Sequence, residues 1–444
     1  MTKKFTESIF ILLVLNLLVK PFWIFAIDVS IQNRVGANQY GLYFSLFSFS
    51  LLFNILADLG ITNYNNRNIA QNHHLIAQQV GRILPVKLLL GLIYAMLTII
   101  AAFLIGYSSI QVKLLIWLSV NQIIISTTQY LRSNISGLQL FKTDSLISIS
   151  DKFFLIIICS YLLWWNVGRV FKIEWLIYAQ TIAYGSSMVI ALIVVLKNSE
   201  KISFRFNIRK ASNTLRKSFP FAILLFLMVL YTRIDAVMLE RLLPDGKMQA
   251  GIYAQAFRIL DALSMFAFLF ASILLPLFAK MIKQNLDIKE TLGHSFALLM
   301  IPSVGLLAVL YFYAGNFMQT LYHQHVKESS EVLQLLLIGF IGICASYIFG
   351  TLLTAAGHLK VLNRIALAAV LLNIVLNALL IPTYGPLGAA FSSMLTQVLM
   401  GVLQGIISIV HFKIKIRAIT LLKYSIIFAS LVALTASMAL FVKV

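Results

Sequence analysis

Charged residues in stretches of chain otherwise too apolar to carry them include Lys20, Asp28, Asp58, Arg233, Asp235, Arg258 and Asp261. A charge at the centre of a bilayer costs roughly 2.5–3.5 kcal/mol on insertion scales, so such residues face a partner or a wet cavity rather than lipid tails. Lys20 sits next to Pro21 near the middle of its apolar run and shares a helix face with Asp28, with Ile24 between them. It has no acidic neighbour within helical reach on its inner side. Arg233 and Asp235 are two apart and point in different directions, so they cannot neutralise each other. Arg258 and Asp261 are three apart and can pair directly. Arginine offers planar multi-donor contact to phosphate oxygens and lysine a point charge. Lys20, Arg233 and Arg258 therefore suggest binding of an anionic substrate. Asp28 and Asp235 are candidates for proton or sodium coupling. The competing reading gives each cation a carboxylate from another helix, and uses each Asp to fix a helix end or to pair with Arg34 or Arg241.

Other motifs are weaker. His323-Gln324-His325 and His73-His74 read as solvated loop histidines without a third ligand. Gly342, Ser346, Gly350 and Thr354 recur every four residues, a stripe that lets helices approach closely. No Walker-type phosphate loop is present, no Ser-His-Asp or Cys-His spacing supports nucleophilic catalysis, and no metal or cofactor is expected. An enzyme is not the expected reading.

The elements that must position these charges follow from composition. The 444-residue chain is 60% hydrophobic and 11% charged, against roughly 25% charged in a soluble domain. Too little polar surface exists to cover a water-soluble exterior. Apolar runs of about twenty residues predict thirteen helices, at 5–33, 39–62, 83–106, 111–134, 144–165, 173–196, 218–240, 251–277, 291–313, 331–355, 361–382, 386–411 and 419–442. Pro21, Pro85, Pro276 and Pro302 fall in or near these spans and can kink them. The formal charge of +20 does not indicate nucleic acid. When charges near span ends are counted with their loops, alternate assignment gives 22 Lys and Arg to the cytoplasmic side and eight to the other, with five inside spans. This places the N-terminus in the cytoplasm. The 197–217 loop holds seven cations and suits contact with anionic membrane lipid. Cys159 and Cys344 fall within spans, so no disulfide framework is implied. Met1–Lys4 lead into an apolar stretch too long for a cleaved signal, so the first span is expected to be retained.

Two segments repeat. Ile27-Asp28, Arg34, Gly41 and Tyr43 return as Ile234-Asp235, Arg241, Gly251 and Tyr253, with the register continuing through Pro85/Tyr94 and Pro302/Tyr311. The expected architecture is all-α and polytopic: a six-helix lobe at 1–196, a basic cytoplasmic linker at 197–217, a second six-helix lobe at 218–411 and an extra helix within 412–444. An even-helix offset makes the repeats parallel, related by a pseudo-two-fold axis along the membrane normal, with Lys20 and Arg233 facing each other across it.

Gly36-Ala37-Asn38-Gln39-Tyr40-Gly41-Leu42-Tyr43, Ala57-Asp58-Leu59-Gly60, Arg67 and Ala70 resemble the opening of bacterial polysaccharide-export flippases. So does Leu372-Asn373-Ile374-Val375-Leu376-Asn377 followed by Ile381-Pro382-Thr383-Tyr384-Gly385 and Gly388-Ala389-Ala390. The chain is similar over most of 1–411 to the oligosaccharide (Wzx-type, O-antigen) flippases of the multidrug/oligosaccharidyl-lipid/polysaccharide (MOP) exporter superfamily. The resemblance implies two six-helix bundles around a V-shaped central cavity of MATE/MOP type. It implies transport of undecaprenyl-pyrophosphate-linked oligosaccharide from the inner to the outer leaflet of a bacterial cytoplasmic membrane by alternating access. A polysaccharide polymerase and a chain-length regulator are the implied protein partners. The alternatives are a cation-coupled multidrug exporter of the same superfamily and a membrane polymerase or ligase, whose large outer loop this chain lacks.

Overall fold

The computed structural model describes residues 16, 18–62, 65–66, 69, 76–165, 170–199, 208–414 and 418–442. Every long element in these residues is a helix. A bilayer leaves no water to satisfy backbone polar groups, so a spanning segment must bond within itself.

A π turn (Trp23–Asp28) runs into α1 (Val29–Leu52), then a 3-10 turn (Asn54–Ala57). There follow α2 (Ile76–Leu104), α3 (Ser109–Gly137), α4 (Phe141–Ser160) with a π turn (Tyr161–Trp165), and α5 (Ile173–Lys197). The chain continues through α6 (Ile208–Leu242), α7 (Gly246–Lys283), α8 (Lys289–Phe312) and the short α9 (Ala314–Leu321). It ends with α10 (Val326–Ala355), α11 (Leu359–Tyr384), α12 (Pro386–His411) and α13 (Ala418–Val442). Ten helices among the described residues are long and apolar enough to cross a membrane. The chain is a multi-pass membrane protein.

The chain divides into two units, one of residues 1–35 and 43–229 and another of 36–42 and 230–444. In the first, α3 packs on α5 and α2, and α4 on α5. In the second, α10 is central, packed by α12, α7 and α8, while α11 packs on α12 and α13 on α8. The small-residue stripe explains the closest of these approaches. A Cβ on Gly342 would stand 2.3 Å from the carbonyl oxygen of Gln397 in α12, and one on Gly401 would stand 2.7 Å from the carbonyl oxygen of Gly342.

Most of the expected spans reappear with longer ends, and three local differences have physical causes. The boundary expected at 34–38 is a kink within α1, where Gly36 adopts φ 76 and ψ 166, a conformation a Cβ would resist. The second span does not continue unbroken to 62: after Leu52 the helix tightens, and Leu59 and Gly60 take positive φ. The loop expected at 314–330 contains α9. The start of the first span, His73-His74, Arg67, Ala70 and much of the basic linker lie outside the described residues.

The repeated glycines mark a backbone-on-backbone contact. A Cβ on Gly41 would lie 1.8 Å from the carbonyl oxygen of Lys247, and one on Gly251 would lie 2.0 Å from that of Ala37. Segment 36–42 and α7 belong to the same unit, and only glycine permits this spacing. The aromatic neighbours match as well. Tyr43 stacks on Phe47 with centroids 5.8 Å apart, and Tyr253 on Phe257 at 5.5 Å.

Candidate functional site: charged clusters within the helices

In the first unit, the helical stretch leading into Trp23 carries Lys20, half-buried, and α4 carries Asp151 and Lys152. Lys152 Nζ lies 3.4 Å from Asp151 Oδ2 and donates a long 3.5 Å hydrogen bond to the Tyr184 hydroxyl of α5. The same ammonium sits 5.2 Å from the Tyr184 ring centroid and 5.9 Å from that of Trp23, close enough for cation–π attraction. Lys20 forms no ion pair among the described residues, but Asp151, Lys152 and Arg132 are near enough to act on it. Arg132 of α3 is otherwise engaged, giving Asp144 a two-pronged contact from Nε and Nη2 at 2.8 and 3.3 Å. Lys20 and Lys152 are thus left to share Asp151. Nearby hydroxyls and amides continue the polar surface: Asn16 Nδ2 donates to Ser148 Oγ at 3.4 Å, and Ser150 and Ser187 hydroxyls meet at 2.7 Å.

In the second unit, α6 presents Arg233 and α7 presents Arg258 and Asp261. Arg233 Nη2 lies 3.3 Å from Asp261 Oδ1, and its guanidinium stands 5.0 Å from the Phe257 ring centroid. Arg258 Nη1 reaches Asp261 Oδ2 at 3.7 Å, and its Nε donates to the Tyr40 hydroxyl at 2.9 Å. The pair expected from the three-residue spacing therefore forms, but Arg233 holds the carboxylate more closely. One carboxylate thus meets two guanidiniums.

The two candidate coupling acids are both buried, Asp28 at 1% and Asp235 at 0% exposure. Asp28 accepts from Gln32 Nε2 at 3.2 Å. Asp235 accepts from Asn377 Nδ2 at 2.7 Å and from the Tyr253 hydroxyl at 2.9 Å, and Asn377 also donates to Asn373 Oδ1 at 3.1 Å. The donors to Asp235 are a neutral amide and a neutral hydroxyl, which satisfy the carboxyl group inside the protein. Of the arginines considered as partners, Arg34 Nη2 donates to the Leu163 carbonyl at 3.2 Å and Arg241 Nε meets Glu240 at 2.9 Å.

A separate pair does structural work. Lys87 of α2, 2% exposed, places Nζ 2.5 Å from Asp58 Oδ1 and 2.6 Å from Ser126 Oγ. Asp58 also accepts from the Thr62 hydroxyl and backbone amide. The Ala57-Asp58-Leu59-Gly60 motif is therefore a helix break anchored by an ion pair to a buried lysine.

Sequence reasoning gave no role to Lys152, Arg132 or Tyr40, and it met Asn373 and Asn377 within a motif, without their partner. Lys152 could have been found, since Asp151-Lys152 interrupts an apolar run just as Lys20 does. Tyr40 and the Asp235 donors could not, because their partners lie far away in sequence.

With this geometry in place, the comparisons with known proteins can be read. The model of the family described as "Polysaccharide biosynthesis protein" matches residues 5–282. The chain belongs to that family. The polysaccharide biosynthesis match encloses Lys20, Asp28, Arg233, Asp235 and Arg258. A second model, MatE, matches residues 220–379. A curated relative, the capsular polysaccharide biosynthesis protein CapF of Staphylococcus aureus, is 27% identical over 200 residues, which take in 44% of this chain and 50% of CapF. The chain thus spans about half the length of the curated relative it matches. Among solved structures, the lipid II flippase MurJ in an inward closed conformation superposes with a TM-score of 0.72 at 15% identity, covering 100% of this chain and 92% of MurJ. An inward-facing MATE-family multidrug resistance transporter of the MOP superfamily gives 0.68 at 11% identity, covering 90% and 98%. A MOP superfamily transporter from Pyrococcus furiosus gives 0.60 at 12%, covering 92% and 94%. At these identities the likeness is one of fold, and the fold of this polysaccharide biosynthesis family member is that of transporters and flippases rather than of enzymes.

Proposed function

We propose that the protein flips an undecaprenyl-pyrophosphate-linked oligosaccharide, a repeat unit of O-antigen, capsule or exopolysaccharide, from the inner to the outer leaflet of a bacterial cytoplasmic membrane by alternating access. Its N-terminus lies in the cytoplasm, and a polysaccharide polymerase and chain-length regulator act on the product. The observation that carries this reading is the clustering of cations inside membrane helices beside aromatic faces, Lys152 against Trp23 and Tyr184 with Lys20 nearby, and Arg233 and Arg258 against Phe257 and Tyr40. Pyrophosphate is held by charge-assisted bonds to lysine and arginine, while Trp23 and Tyr184 suit the apolar face of a sugar ring. The two lobes at 1–196 and 218–411 are parallel repeats on this reading. Asp28 and Asp235 serve coupling to a proton or sodium gradient, with Asp235 set apart from the cations by its amide and tyrosine donors.

The test is complementation of a flippase-null strain. Lys20→Ala and Arg233→Ala should each abolish surface glycan while the protein still reaches the membrane; normal surface glycan in both would remove this site assignment. A second reading, a cation-coupled multidrug exporter, draws support from the MatE match over 220–379. A drug-susceptibility panel on an overexpressing strain separates the two, since a flippase leaves resistance unchanged.

A further inference from the structure

Outside these clusters, the turn between α10 and α11 and the last residue of α12 bring two histidines together. His358 Nε2 and His411 Nε2 are 2.9 Å apart, with ring centroids 4.1 Å apart and planes inclined at 69°. A straight N–H···N bond between imidazoles would separate the centroids by about 5 Å, because each lies about 1.1 Å behind its nitrogen. The observed 4.1 Å therefore means that at least one ring is tilted well off the line between the two Nε2 atoms, so the contact is not a straight hydrogen bond. A cation about 2.0–2.1 Å from two imidazole nitrogens at a right angle sets those nitrogens about 2.9 Å apart.

The frame that carries the pair is fixed before any ligand arrives. His358 N donates to the Leu353 carbonyl at 2.9 Å, and the His358 carbonyl accepts from Val361 and Leu362 at 3.1 and 3.2 Å. His411 closes α12, is followed by Phe412 bonded back to Ser408 at 3.0 Å, and is braced edge-on by the Phe412 ring at 4.9 Å. The helices bearing the two sides are themselves locked, α10 to α12 through the Gly342 and Gly401 backbone contact. Two side chains that need not reorganise lose little freedom on chelation. His411 is exposed, so water can complete the coordination sphere.

We propose that His358 and His411 form a bidentate site for a transition cation that accepts right-angled nitrogen ligands, Cu2+ or Ni2+ ahead of Zn2+, with water in the remaining positions. Occupied, the site ties the α10–α11 turn to the end of α12. No third His, Cys, Asp or Glu among the described residues joins it, which makes it an exchangeable site rather than a structural one.

The test uses the full chain purified in detergent without a polyhistidine tag and titrated calorimetrically with Ni2+ alone, then Cu2+ alone. The unmodified protein should show one saturable equivalent. His358→Ala and His411→Ala should each weaken it at least about tenfold, and His323→Ala/His325→Ala should leave it intact. Loss in the His323→Ala/His325→Ala variant instead, binding as tight as that of the unmodified protein in either single variant, or no saturable equivalent for either ion would overturn the proposal. His358→Asn and His411→Asn, checked for monodispersity, repeat the test if an alanine variant does not survive purification.

Discussion

The two cationic clusters carry a similar charge count but hold it differently. In the first unit Arg132 is taken up by Asp144, and two lysines are left with Asp151, at contacts no closer than 3.4 Å. In the second, Arg233 is stacked on Phe257 and bonded to Asp261, and Arg258 is bonded to Tyr40 at 2.9 Å. A lysine ammonium on a flexible stem can swing to meet a charge, whereas a guanidinium fork bonded on two sides stays where it is set. The first cluster therefore holds its charge on a mobile ammonium, and the second on guanidiniums fixed in place.

This contrast can be broken or sharpened by four measurements. The largest effect is expected at the glycines that the two repeats share. Gly41→Val and Gly251→Val each force a side chain into backbone, a cost above about 3 kcal/mol, and both should abolish monodisperse protein by detergent size-exclusion. If one variant were tolerated, the two copies would not be equivalent. Next comes the Lys87–Asp58 pair. Lys87→Met leaves Asp58, 20% exposed, with only its Thr62 donors among the contacts described, and should destabilise by about 1–3 kcal/mol, read as a fall in thermal midpoint, while Lys87→Met/Asp58→Asn should recover part of the loss. A transport defect in Lys87→Met without a stability defect would move this pair to the functional side of the contrast.

Third, if the proposed function holds, Lys152→Ala should cut flipping roughly thirtyfold, the loss of about 2 kcal/mol expected for a charge-assisted contact to phosphate, with the thermal midpoint unchanged. Lys152→Arg should restore part of the rate, whereas Arg258→Lys should not restore the bond to Tyr40. Similar rescue at both sites would erase the difference between mobile and fixed cations. The smallest effect is expected for Asp261→Asn. Its carboxylate is 23% exposed and its arginine contacts are 3.3 and 3.7 Å, so thermal stability should change by less than about 1 kcal/mol.

The helical fold was legible because a bilayer allows few alternatives: long apolar runs must be helices, and their ends follow the hydropathy. Periodicity also located the α10–α12 stripe, where each small residue has a local reason. The break after Leu52 was not legible, because Ala57-Asp58-Leu59-Gly60 is apolar enough to continue a helix and the reason to stop lies in Lys87, on the next element. The candidate site was legible where a charge stands alone, as at Lys20, and not where its meaning depends on a distant partner. Arg258 was paired correctly with Asp261 by spacing, yet its shorter bond is to Tyr40, 218 residues away in sequence. Asn373 and Asn377 were visible as part of a motif, and the fold supplies the buried Asp235 to which Asn377 donates.

The Lys87–Asp58 contact also bears on how the chain enters the membrane during synthesis. Delivered singly by the translocon, each segment would bring a bare charge into hydrocarbon at roughly 2.5–3.5 kcal/mol. Released together as a hairpin, the two arrive already neutralised, so the segment bearing Asp58 should wait at the lateral gate until α2 has emerged from the ribosome.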